Sequence, residues 1–326
     1  MKLSLRNWTL LDRAALGAVG LGTWFALRPP PNQLTIWWES QALHFMLLLL
    51  TGGLLCFFIN RIRLTFIAFA GCALLAYVFH ERSRPPHQEV PIASARAFDL
   101  RVGIFQPPAA DLDRFLHTIS ETDAHVLALQ NVSHSQLPRI DQHLEHLGYS
   151  RFPSEPDRQQ PLAHAVYARP PVSLEPLPGS DDFYTLTGRL HLGDLTDSIR
   201  ELRFLYLPRL PGTGAMGSTN TALRRLAGRL LRENIPLLAM GDLQFVPWSR
   251  DLQRFKQHAS LFDSHTPFHS SSRMGDLSLL APAKRQLLYS NHFKCISFET
   301  ISGNADQLLG VFGIYRLFIR PNRSTT

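Results

Sequence analysis

Pro236-Leu237-Leu238-Ala239-Met240-Gly241-Asp242-Leu243-Gln244-Phe245-Val246-Pro247-Trp248-Ser249 is an apolar run that stops at Gly-Asp and gives way to a short polar turn. A continuous apolar run of this length predicts a strand buried on both faces, with the carboxylate of Asp242 delivered to its tip. The loops leaving such strand ends are where a rigid scaffold holds reactive groups. What the chain places beside Asp242 therefore decides its chemistry.

Strand-like and helix-like pieces alternate on the N-terminal side of this run. Residues 100–105 predict a strand ending at Gln106-Pro107-Pro108, and Asp111 then caps a helix with Leu112, Phe115, Leu116 and Ile119 on one face. Residues 126–129 predict a second buried strand whose tip is Gln130-Asn131. A helix over 136–147, with Leu137, Ile140, Leu144 and Leu147 on one face, ends at Gly148, which suits the position after a C-cap. Strands are expected at 163–169, 184–192 and 200–207, then a glycine-rich loop at 211–218 and a helix near 220–233 with Leu223, Leu226 and Leu230 inward. Beyond the opening stretch come a helix at 249–257 and strands at 277–280, 286–289, 293–300 and 311–319. No period suggests a solenoid. The order predicts an α/β fold with two sheets face to face and helices outside them. A doubly wound parallel sheet fits less well, because the late strands leave no room for crossover helices.

The first 80 residues are of another kind. Three apolar blocks, 10–27, 42–59 and 64–79, are separated by Arg28-Pro29-Pro30-Pro31 and by Asn60-Arg61-Ile62-Arg63. Each is near the length of a membrane crossing, about 20 residues. The middle block carries no charge from Phe45 to Ile59, whereas Asp12 and Arg13 fall inside the first and the third is short. The set predicts about three transmembrane helices rather than a cleaved leader, since two more apolar blocks follow the first. Lys2, Arg6, Arg13, Arg61 and Arg63, set against Arg28, Arg82 and Arg84, favour a cytoplasmic N-terminus. Three crossings then place the rest outside, periplasmic in a bacterium. The expected layout is a transmembrane region at 1–80, a linker at 81–97, a domain at 98–320 and a tail at 321–326. Residues 1–80 hold six Lys+Arg and two Asp+Glu of the chain's 33 and 26, so the remainder carries 27 − 24 = +3. That is too little to argue for a nucleic-acid surface. Cys56 and Cys72 lie in the apolar blocks, so Cys295 has no partner for a disulfide within the domain.

Two motifs carry a resemblance. Asp123-Ala124-His125-Val126-Leu127-Ala128-Leu129-Gln130-Asn131-Val132 and Gly241-Asp242-Leu243-Gln244 followed by Pro247-Trp248-Ser249 are similar to the Asp-x-x-Val-x-x-Leu-Gln-Glu-Val and Gly-Asp-Phe-Asn…Pro-Trp-Ser motifs of the endonuclease/exonuclease/phosphatase superfamily. Residues 98–320 resemble that superfamily, and the whole chain its membrane-tethered bacterial subgroup. The resemblance implies a four-layer α/β sandwich and a metal-dependent phosphoesterase ancestry. It also implies site positions, at most of which this sequence departs. An Asn that helps hold the metal is Gln106 here, and the Glu that is the principal Mg²⁺ ligand is Asn131. A phosphate-contacting His falls near Pro208. The Asp that orients the attacking water is kept as Asp242, but the Asn that contacts the phosphate is Gln244. An Ile-Asp-His motif falls near Lys284-Arg285-Gln286 and preserves neither group. A Ser-Asp-His motif falls on Ala305-Asp306-Gln307, keeping Asp306 but not the His.

A hard divalent cation takes anionic oxygen, and an amide offers only a neutral carbonyl. Gln307 can neither carry a proton at neutral pH nor become cationic. Residues of one catalytic unit fail together when a central member is lost. The expectation is therefore a catalytically inactive domain with no metal cofactor, acting as a binding or scaffold module for a membrane complex or an anionic ligand, with nucleic acid disfavoured. The alternative is an active phosphodiesterase using Mg²⁺ or Mn²⁺ in a site rebuilt around Asp242 and Asp306.

Other features have plainer readings. His143 and His146 share a helix, and His265 and His269 are separated by Pro267; neither pair comes with zinc-type partners. Gly212 to Ser218 lacks the Gly-Lys-Ser/Thr ending of a P-loop. Arg224, Arg225, Arg229 and Arg232 give one helix a basic outer side.

Overall fold

The computed structural model describes residues 9–27, 35–83, 97–152, 163–176, 186–191, 202–207, 228, 235–242, 249–264, 285–303 and 308–318. Three helices come first: α1 (Leu10–Leu27), α2 (Thr35–Phe58) and α3 (Ile62–Ser83). Two contain segments long and apolar enough to cross a membrane by length and composition, Gln41–Phe58 and Ile62–Glu81. Among the described residues two helices meet this measure, where three apolar blocks were expected.

The charge at the start of α1 is not loose. The Thr9 backbone N–H donates to Asp12 Oδ2 at 3.0 Å, and the Asp12 N–H donates to Thr9 Oγ1 at 3.2 Å, a reciprocal cap on the helix. Arg63, at the start of α3, lies 3.6 Å from the same carboxylate. The starts of α1 and α3 are thus at one level. Further along, a Cβ at Gly71 of α3 would come within 2.7 Å of Val19 and 3.0 Å of Leu49, so the three helices meet where α3 has no side chain.

α3 continues to Ser83 and the next strand begins at Ala97. From there the chain forms β1 (Ala97–Phe105), α4 (Leu112–Glu121), β2 (Val126–Val132), α5 (Leu137–His146), β3 (Ser150–Phe152), β4 (Ala163–Ala168), β5 (Ser173–Pro176), β6 (Leu186–His191), β7 (Leu202–Leu207), β8 (Leu237–Asp242), α6 (Arg250–His258), β9 (Leu261–Asp263), β10 (Arg285–Ser290), β11 (Phe293–Ser302) and β12 (Leu308–Phe318). The expected helix at 220–233 lies outside the described residues except at 228, and the expected strand at 277–280 lies wholly outside them. The short strands β3, β5 and β9 were not expected.

One six-stranded sheet has the order β11-β12-β1-β2-β4-β3 and the other β5-β6-β7-β8-β10-β9. Each holds one parallel pair at its centre, β1 with β2 and β7 with β8, between antiparallel neighbours. The two sheets therefore share one topology, a structural repeat that leaves no trace in the sequence. Leu100, Val102, Ile104, Val126 and Ala128 of the first sheet pack against Phe204, Leu238, Met240 and Leu287 of the second. On the other side of the first sheet, Phe105, Leu127 and Leu129 meet Phe115, Ile119, Ile140 and Leu144 of α4 and α5. The continuous apolar runs of β2 and β8 arise because both faces of each strand are covered.

Gly148 stands after the C-cap of α5 with φ 81°, as expected. Asp111 occupies the N-cap of α4 but makes no side-chain cap bond, because its backbone lies in the left-handed region at φ 64°. The carboxylate is then not placed over the first-turn N–H groups.

Candidate functional site

Because β1 and β2 run parallel, the residues that end them emerge side by side. Leu129 is level with Phe105, which puts Gln130 level with Gln106. By strand alternation Gln130 shares the face of Val126 and Ala128, toward the second sheet. It is 1% exposed, and its Nε2 and Oε1 make no hydrogen bond. Leaving a buried amide group unsatisfied costs about 1–3 kcal/mol. Asn131 follows in the left-handed region at φ 53°, where the β2–β4 register shifts between Leu129 and Val132. Asn is among the few residues that adopt this conformation readily.

Opposite, β8 ends at Asp242, whose Cα partner across the antiparallel β8–β10 pair is Arg285. Arg285 joins the two sheets. Its Nη2 donates to Gln106 Oε1 at 2.8 Å and its Nη1 to the Leu308 carbonyl at 3.3 Å. The Gln106 backbone N–H in turn donates to the Leu309 carbonyl at 2.8 Å, and the Gln136 side chain holds the turn after β1 by donating to the Pro108 carbonyl at 3.0 Å.

Of the positions expected from sequence, the structure thus gathers Gln106, Asn131 and the backbone of Asp242 at one end of the sandwich. Gln244, Asp306 and Gln307, together with Pro208 and Lys284, lie outside the described residues. Gln286, next to Arg285, is buried. Sequence reasoning passed over two members of this end. Arg285 counted only as a failure to match, and Gln130 only as a strand tip. A cation opposite a strand-terminal Asp would have pointed to Arg285, but that register is not readable from sequence.

The described residues do not fit a divalent metal ion. The one side-chain oxygen of Gln106 already accepts from a guanidinium, Asn131 is neutral, and Arg285 brings a full positive charge. A dication about 5 Å from a guanidinium is opposed by about 7 kcal/mol at an effective dielectric of about 20. Among the described residues there is no group of three or more His, Cys, Asp or Glu side chains that could hold a metal.

The opposite end of the first sheet carries a second polar cluster. Asp123, at φ 50°, is paired with both Arg101 and Arg169. The hydrogen bond from Arg169 is the main reason that its carboxyl is held below the usual carboxylate range. His125 accepts the Arg101 backbone N–H on Nδ1 at 3.2 Å and stacks on Phe98 with ring centroids 5.5 Å apart. Burial lowers its pKa, with Arg101 and Arg169 adding to the shift. The described groups in this cluster are engaged with one another.

Two face-packed mixed sheets with parallel central pairs, their strand ends gathered at one edge, define an α/β sandwich of the phosphoesterase type. The family model described as "Endonuclease/Exonuclease/phosphatase family" matches residues 97–299, and the chain belongs to that family. Among solved structures, it is similar to an endonuclease/exonuclease/phosphatase family protein from Bacteroides thetaiotaomicron, at 14% identity and a TM-score of 0.50 over 69% of this chain and 97% of that one. It is likewise similar to ANGEL2, a 2',3'-cyclic phosphatase solved with adenosine-2',3'-vanadate, at 15% identity and a TM-score of 0.52 over 69% and 97% of the two chains. At these identities the likeness shows the fold. No curated protein matches the chain.

Proposed function

We propose that this protein is a membrane-anchored binding module that uses a phosphoesterase fold without its metal and without hydrolysis. The observation that carries this is the Arg285–Gln106 hydrogen bond at 2.8 Å, which holds a permanent positive charge beside the neutral amide of Gln106 at the strand-end edge, opposite Asp242 in the β8–β10 register. Such an edge receives an anionic ligand, or an acidic face of a membrane complex, and activates no water.

The apolar segments of α2 and α3 support an anchor in the bilayer. In this reading α1 is a third crossing. Its Asp12 is capped by Thr9 and lies near Arg63 at the level where α3 begins, so the charge belongs to the interface rather than the hydrocarbon. Three crossings with a cytoplasmic N-terminus put the folded domain on the extracytoplasmic side of an inner membrane.

The test is hydrolysis of bis(p-nitrophenyl) phosphate by the purified full chain with Mg²⁺ or Mn²⁺. No turnover above the metal-only blank is expected. Turnover that disappears in Asp242→Ala would establish a working hydrolase and end this reading.

A further inference from the structure

Arg285 is in a fixed position. Its two terminal nitrogens bond across the sandwich, from β10 of the second sheet to Gln106 and Leu308 of the first, and Gln106 is pinned through its own backbone N–H. In β-sheet register it stands directly opposite Asp242, the strand-tip residue of the Gly-Asp motif. On the first sheet, level with Gln106, Gln130 presents an amide that is 1% exposed and makes no hydrogen bond through either Nε2 or Oε1.

We propose that Arg285 is the resident cation of this edge. It supplies the positive charge that a divalent ion would supply and keeps that ion out, so that an oxyanion of the phosphate class is received there with no metal. A guanidinium suits the task because its charge is permanent and its planar fork matches phosphate oxygens. Gln130 supplies the uncharged half of the recognition: its Nε2 donates to an oxygen of the anion, which satisfies a donor that the protein leaves unmet. This inference rests on the metal-free binding reading and adds to it the residue that reads the ligand and the ligand's class.

The experiment uses the purified full chain in detergent, with inorganic phosphate and Mn²⁺ as probes. The wild type is expected to bind phosphate with the same affinity in EDTA as in Mn²⁺, and to take up no stoichiometric Mn²⁺ by electron paramagnetic resonance. Arg285→Met is expected to weaken phosphate binding at least ten-fold, and Gln130→Met several-fold. Arg285→Lys keeps the charge but loses the fork, and is expected to fall between the wild type and Arg285→Met. Asn131→Asp adds a carboxylate in a backbone conformation that Asp also tolerates. Alone it is expected to bind no Mn²⁺, and combined with Arg285→Met it is expected to bind one per chain. Absence of phosphate binding, binding that needs Mn²⁺, or Mn²⁺ uptake by the wild type overturns the proposal. So does phosphate affinity that neither Arg285 variant changes. If Arg285→Met does not fold, the wild-type comparison in EDTA and the Lys variant still decide. Hydrolysis by the wild type is read in a separate assay and overturns the binding-module reading instead.

Discussion

Asn131 occupies its place for a backbone reason as well as a chemical one. At φ 53° an ordinary L-residue is strained by about 1–2 kcal/mol, while Gly is not. Asn131→Ala is therefore expected to lower stability by about 1 kcal/mol and Asn131→Gly to change it by a few tenths, as measured by urea unfolding of the full chain in detergent. A second effect at this scale depends on pH. Burial holds the folded-state pKa of both His125 and His164 below the ordinary value. A group whose folded pKa is depressed contributes fully above its unfolded pKa and loses that contribution as pH falls through the folded one. The melting temperature is thus expected to begin falling below about pH 6.5 and His125→Gln to flatten part of that fall, with Asp99 and Asp123 following the same sign in the more acidic carboxylate range. An equally steep acid profile in the variant would remove His125 from the explanation. At this scale the sequence was informative about residue type and silent about backbone. Asp111 has the right chemistry for a cap, yet its left-handed φ takes the carboxylate away from the helix. Arg285 carried no signal in sequence because its meaning lies in Asp242 across β8–β10 and in Gln106, 179 residues away in the chain.

Among the elements, the β1–β12 pair has the least tolerance for added volume. A Cβ on Gly310 would lie 2.3 Å from the Ile104 carbonyl oxygen and 2.4 Å from Phe105 Cδ1. Backbone cannot give way as a side-chain end can, so Gly310→Ala is expected to cost about 1–3 kcal/mol, seen as a lower urea midpoint. Because Gly310 pairs with Phe105, which precedes Gln106, the same variant is expected to loosen the Arg285 anchor. The long elements were legible because their burial is periodic or continuous: α4 and α5 by apolar spacing, and β2 and β8 by unbroken apolar runs. β3 and β9 are three residues each, too short to show an alternation, and are the last strands of their sheets among the described residues. The likeness between the two sheets was not legible either, since it resides in strand order and direction.

For the molecule as a whole, the proposed anchor has a direct check. In spheroplasts carrying the full chain, added protease is expected to degrade the domain while membrane-embedded fragments from the N-terminal third survive. Complete protection of the domain, with degradation only after lysis, would reverse the proposed orientation. The apolar character of the first 80 residues was legible from composition.

The chain enters the domain through β1, which lies inside the first sheet with β12 on one side and β2 on the other. Ala97 is at the base, and Phe105 is at the edge that holds Gln106. Inter-strand hydrogen bonds run across the strands, so a pull along β1 loads them in shear and all at once instead of peeling them one by one. A ligand or partner gripped at the far edge of this domain would transmit force to the anchor along the length of that strand. The part of the fold best able to bear a mechanical load is thus the part that would connect the proposed binding edge to the proposed anchor.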